Sequence, residues 1–227
     1  MAVAAKRHEN RYICFVFIIQ KKRTRTEELW NAASHGLGIL LGFSGLFILL
    51  AFDTGKTSFS TFGIVVYGLT LMMLYSASTI YHLMKAERKK TLWRKIDHIG
   101  IYFLIAGTYT PVALITLETG SGWFIFYTVW GIAAAGSIIK LFYTGKYEIF
   151  SLLAYLFMGW LILFDLQDLI TKVTDLGVFL LMLGGAFYTL GIIFYVVQKI
   201  PYHHFIWHLF VLGGSISHFF FIFLDVI

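Results

Sequence analysis

Four apolar stretches of this chain carry histidine, aspartate, serine or asparagine near one end: Asn31 with His35, Ser78 with His82, Asp97 with His98, and His204 with His208. Ionisable groups within bilayer-length segments are costly and mark function by default. Ser78 and His82 are four residues apart, as are His204 and His208, so each pair shares one helix face. An i, i+4 histidine pair can hold one zinc from a single helix, as in the H-E-x-x-H metalloprotease motif. Here the run is His204-Phe205-Ile206-Trp207-His208, with no glutamate inside it. A catalytic base must therefore come from elsewhere, and Asp97 is the candidate. His82, His204 and His208 would supply three imidazoles and leave a fourth position open, the pattern of a catalytic zinc. Zinc lowers the pKa of a bound water to roughly 7. Asp97 would hold that water, and Ser78 would orient it or hydrogen-bond a developing oxyanion.

Plainer roles stand beside these. Asp97 also suits a helix N-terminus, where the dipole favours an acid, and Ser78 also suits close packing. Asn31, His35 and His98 are expected as outer contacts of the site. His203 is turned about 100° from His204, which favours an interfacial role. His218 continues the stripe of His204, His208, Val211 and Ser215. It lies about 15 Å deeper than His208, too far for the same metal, and is expected to be a cavity or packing contact.

The elements that must position these groups are membrane helices. Hydrophobic residues make up 59% of the 227, charged residues 13%, and mean hydropathy is +0.78. A soluble domain of this length is nearer a quarter charged. Seven runs reach the ~20 residues a spanning helix needs: Trp30–Phe52, Phe59–His82, His98–Leu117, Trp123–Phe142, Phe150–Ile170, Leu176–Val197 and His204–Val226. The fifth is the weakest, because Asp165 and Asp168 fall near its end. Backbone groups in lipid must be paired internally, and these runs are too long for barrel strands, so the expected class is all-α.

Sixteen of the eighteen Lys and Arg residues fall on one side of these segments; only Lys56 and Lys172 fall on the other. This bias places the N-terminus in the cytoplasm and the C-terminus outside, in a multi-pass protein of the cell membrane. It also explains the basic balance of the chain without invoking nucleic acid. With that topology the polar ends of the four segments meet in one layer at the cytoplasmic face. Gly38, Gly42 and Gly45 extend the stripe of Asn31 and His35, so that face of the first segment should pack within the bundle. Pro111 should bend the third segment, and Pro201 suits entry to the seventh.

One seven-helix domain is expected over residues 27–227. Residues 1–26 read as a disordered or interfacial cytoplasmic extension. Its apolar stretch Tyr12–Ile19 is too short to span and has no cleavage pattern after it. A single cysteine, Cys14, excludes an intramolecular disulfide and a cysteine-rich metal site.

Several motifs resemble those of the hemolysin III family. They are Glu28-x-x-Asn31-x-x-x-His35-Gly36, Ser78-x-x-x-His82, Asp97-His98 followed by Ile105-Ala106-Gly107-Thr108-Tyr109-Thr110-Pro111, and His204-x-x-Trp207-His208-x-Phe210-Val211 with His218. The family belongs with the adiponectin and progestin receptor family and, more distantly, the alkaline ceramidases. The resemblance covers nearly the whole chain after Thr26. It implies a seven-helix zinc protein with His82, His204 and His208 as ligands, Asp97 reaching zinc through water, and Ser78 close by. It also implies a metal-dependent hydrolase of a membrane lipid or fatty-acyl amide, ceramide-like in type.

Two other functions compete with hydrolysis. One is a pore-forming cytolysin, although the chain shows neither a secretory signal nor a soluble domain. The other is a receptor or sensor in which zinc is structural, so that metal removal would unfold it.

Overall fold

In the computed structural model, residues 23–227 are described. Cys14, Tyr12–Ile19 and the rest of the expected extension up to position 22 lie outside them. All regular elements among the described residues are helical. Seven helical segments are long and apolar enough to cross a membrane: α1 Arg25–Phe52, α2 Ser60–Leu83, α3 Glu87–Thr116, α4 Gly122–Tyr143, α5 Glu148–Ile170, α6 Asp175–Val196 and α7 His203–Val226.

The segments match those expected from hydropathy, with two clear extensions. α1 starts at Arg25 rather than Trp30 because Thr24 caps it. The Thr24 hydroxyl accepts from Glu27 N (3.2 Å), and the Glu27 carboxylate accepts from Thr24 N (2.7 Å). This reciprocal box satisfies two of the free donors at a helix start. α3 starts at Glu87, eleven residues before the apolar run, so its first turns carry charged residues from Arg88 to Lys95. Hydropathy marks only the apolar part of a helix that continues beyond it.

Among the described residues irregular backbone appears at three places, of which Pro111 marks one; another is the π turn Ile222–Val226 that ends α7. α3 is regular to Pro111, which cannot donate to the helix ladder, and then widens into a π turn over Val112–Thr116. α5 breaks after Gly159 into a 3₁₀ stretch, Leu161–Asp165, before the last turn Leu166–Ile170. Freed backbone groups at this depth need partners. Tyr109 supplies them: its hydroxyl donates to Gly159 O (3.0 Å) and accepts from Ile162 N (2.9 Å).

Small residues set how closely the helices approach. On α1, a side chain at Gly38 would strike the Tyr75 ring at 2.7 Å and one at Gly42 would strike Leu71 at 2.4 Å, both on α2. The same stripe presents buried Asn31 and His35 to the bundle interior. Outward-facing residues are large and apolar; Phe142 and Phe164 are 75% and 83% exposed.

Ion pairs tie one end of the bundle together. Glu28 of α1 joins His82 of α2 and Lys90 of α3, while Glu148 of α5 joins Arg94 and His98 of α3 and Lys140 of α4. The polar residues singled out above lie at this basic end. At the opposite end Asp225 caps α6 through Thr174 and receives Lys56 on its carbonyl.

Candidate metal centre

Two helices, α2 and α7, bring His82, His204 and His208 together. One ring nitrogen from each lies within 4.8 Å of the others, a grouping that could bind a metal ion. Their rings are 4.7–5.1 Å apart, centroid to centroid. His82 closes α2, while His204 and His208 project one turn apart from the start of α7.

The free nitrogens are selected by what holds the opposite ones. His82 Nδ1 lies 2.5 Å from Glu28 Oε2. A carboxylate accepts, so this nitrogen carries the proton and donates. His82 Nε2 is then an unprotonated lone pair, buried and without a partner in the protein. His208 Nδ1 lies 3.1 Å from Asn31 O and 3.1 Å from Ser34 Oγ. Ser34 gives its own proton to Asn31 O at 2.8 Å. Both contacts therefore accept from His208 Nδ1, and Nε2 is again left as the lone pair. Fixing one imidazole nitrogen so that the other can ligate is the usual work of residues around a metal. Here α1 supplies every one of these acceptors.

Glu28 was not assigned a role from spacing, although it appears in the family motif. It lies three residues before Asn31 and seven before His35, on the stripe that faces the bundle. That placement, an acid among buried small residues, was the available signal. Its charge is balanced by Lys90 Nζ at 2.6 Å.

The remaining expected residues distribute as follows. Asn31 is buried, but its Nδ2 is 3.5 Å from His82 Nδ1, where two donors face one another. Its useful contribution is its backbone carbonyl. His35 stacks flat on His208, ring centroids 3.5 Å apart, with the Tyr75 ring against its edge; both its nitrogens are buried without partners. Ser78 and Asp97 line one cavity together with His35, His204 and His208. Asp97 is within electrostatic reach of His82 and Ser78, while Ser78 Oγ makes no well-formed hydrogen bond. His98 lines that cavity too, but its Nδ1 faces Glu148 at 3.5 Å instead of the three-histidine group. His203, the first residue of α7, is buried, and its Nδ1 donates to Phe194 O at the end of α6 (2.9 Å). His218 lines the far part of the cavity, in agreement with the depth expected from its spacing.

The cavity runs between α3, α5, α6 and α7, with His35 of α1 and Leu74 and Ser78 of α2 also on its wall. Its walls are mostly Leu, Ile, Val, Tyr and Trp, with polar groups concentrated near the histidines. Ligand pockets commonly have this mostly apolar lining.

A family model described as "Haemolysin-III related" matches residues 23–219. "Hemolysin-3 homolog" from Bacillus subtilis (strain 168) is 39% identical over 198 residues, covering 87% of this chain and 93% of the relative. "Hemolysin-3" from Bacillus cereus is 40% identical over 195 residues, covering 86% and 89%. The human "Monocyte to macrophage differentiation factor" is 33% identical over 168 residues, 68% of this chain and 66% of the relative. No solved structure gives a significant match.

Proposed function

The chain belongs to the haemolysin-III-related family, and from that premise we propose that it is a zinc-dependent hydrolase of a membrane lipid amide. The N-terminus is cytoplasmic in this reading, and the active centre opens near the cytoplasmic face of the cell membrane. The observation that carries it is the convergence of three imidazoles, two with their Nδ1 protons engaged by α1, beside a mostly apolar cavity.

The donor set fits zinc. Three nitrogen ligands suit it, and the arrangement leaves room for a fourth. When bound, zinc supplies Lewis acidity toward a carbonyl and makes water more acidic. Asp97 takes a proton from the attacking water and passes it to the departing amine. Ser78 Oγ, which lies beside Asp97, donates a hydrogen bond to the oxygen that gains charge. Water is thereby added across the C–N bond, giving a carboxylic acid and an amine. The apolar walls hold the acyl chain and limit access of bulk water.

Elemental analysis of the purified protein beside His204→Ala tests the metal. Stoichiometric zinc is expected in the first and none in the second. Hydrolysis of a long-chain N-acyl amide in mixed micelles tests the reaction: Asp97→Asn should retain zinc and lose turnover. Zinc-loaded protein with no turnover on any lipid amide would overturn the hydrolase reading. The names of the bacterial relatives favour a second reading, direct membrane lysis. Red-cell lysis that survives chelation and is blocked by large osmolytes would support a pore instead.

A further inference from the structure

The cavity that begins at the metal-binding group ends on a second, separate set of polar groups near His218. This ring lies ten residues beyond His208 on α7, about 15 Å along the helix axis. Its Nε2 is 3.2 Å from the carbonyl of Leu181 on α6. A carbonyl only accepts, so Nε2 carries the proton of the neutral ring. Among the described residues no charged group faces His218, and an imidazolium without a counter-ion would be costly at this depth. His218 Nδ1 is consequently an acceptor lone pair, and it is buried without any donor. Gly184 is there to admit the ring, since a side chain at that position would meet His218 at 2.2 Å.

A spare donor accompanies this spare acceptor. Tyr75 donates to Ser215 Oγ at 2.7 Å, and Ser215 Oγ is 2.9 Å from Tyr188 Oη. Three hydroxyl protons serve two hydrogen bonds, so one remains. Either hydroxyl can donate in the Ser215–Tyr188 contact; when Ser215, already accepting from Tyr75, gives its proton to Tyr188, the remaining proton is on Tyr188. The Tyr188 ring lines the cavity and lies 5.5 Å from the His218 ring. Burying an unmatched acceptor and an unmatched donor among apolar walls costs free energy unless an occupant satisfies both. A hydroxyl group does so, because it donates through its proton and accepts through its lone pairs.

We propose that the far end of the cavity is a hydroxyl-binding subsite, with His218 Nδ1 as acceptor and Tyr188 as donor. Its ligand is an amphiphile whose polar head sits at the metal end and whose chain carries a hydroxyl about 15 Å away, roughly twelve carbons of extended chain. This rests on the reading that the cavity holds a lipid chain, but it needs no hydrolysis.

Binding of two probes to the full-length, zinc-loaded protein in detergent tests it: stearate, and hydroxystearate with its hydroxyl on the twelfth carbon. The hydroxylated probe should bind roughly tenfold more tightly, the effect of one well-made buried hydrogen bond. His218→Leu should erase the difference while still binding stearate and zinc, and His218→Gln, which keeps an acceptor, should restore part of it. Should the Leu variant fail to fold, the partial preference of the Gln variant is the deciding measurement. Equal affinities in the unaltered protein would mean that water serves these groups; the subsite would fall and the lipid cavity would stand. The same gain with the hydroxyl on the second carbon would also overturn the subsite. If neither probe binds, the lipid cavity and the subsite fail together, whatever the zinc content.

Discussion

The two ends of the cavity use histidine by the same rule and reach different results. At the basic end, carboxylate and carbonyl acceptors on α1 hold Nδ1 of His82 and His208, and the opposite nitrogens turn to a common point with His204. Toward the other end, the Leu181 carbonyl holds Nε2 of His218, and its Nδ1 stands alone beside a hydroxyl chain. Three converging imidazoles, two of them with the lone pair fixed, suit a cation, whereas a single lone pair beside a hydroxyl chain suits a neutral hydroxyl. The number of lone pairs that converge decides the ligand, and histidine content alone does not. Charge follows the same division. Glu28 and Asp97 lie near the three-histidine group, and among the described residues no charged group faces His218.

The sharpest way to break this contrast is to remove one ring from each end. His208→Ala should abolish stoichiometric metal, while His218→Leu should leave it at the level of the unaltered protein, both read by elemental analysis. Metal loss in both variants would mean that the two ends are one unit. Glu28→Ala should weaken metal binding by about 10- to 100-fold in a chelator competition, the usual cost of removing a carboxylate behind a ligating histidine. Gly184→Ala should cost about 1–3 kcal/mol, through crowding of His218, with metal content unchanged; thermal unfolding with and without chelator separates the two effects. The smallest change expected is Ser34→Ala. Asn31 O still accepts from His208 in that variant, so the loss should be about 0.5–1.5 kcal/mol, one hydrogen bond. A loss as large as that of Glu28→Ala would show that the hydroxyl, rather than the carbonyl, orients the ring.

Much of the fold was legible because lipid imposes simple rules. Long apolar runs must be helices, and seven were readable by length alone. One break point was legible too: Pro111 precedes the π turn of α3, whereas the aspartates that weaken the fifth segment do not mark its break after Gly159. The charged start of α3 was not, since hydropathy is blind to helix that lies outside the apolar layer. At the candidate centre, i, i+4 spacing and topology identified His82, His204 and His208. His98, expected only as an outer contact, lines the same cavity and turns its Nδ1 to Glu148. One residue of helix is a turn of about 100°, so neighbours such as Asp97 and His98 address different partners. His203, turned away from His204, accordingly meets the end of α6 through Phe194 O.

Residue types and their order along the chain settled that there are seven apolar helices and which depth each polar group occupies, because both depend only on counting residues along a rise of fixed length. Packing alone decided which nitrogen is free on His82, His208 and His218, because that depends on an acceptor from another helix: Glu28, Asn31 and Leu181 respectively. No local pattern encodes the approach of two helices to within a hydrogen bond. Side-chain volume at positions such as Gly38, Gly42 and Gly184 sets that distance, and its effect appears only when the opposing surface is in place.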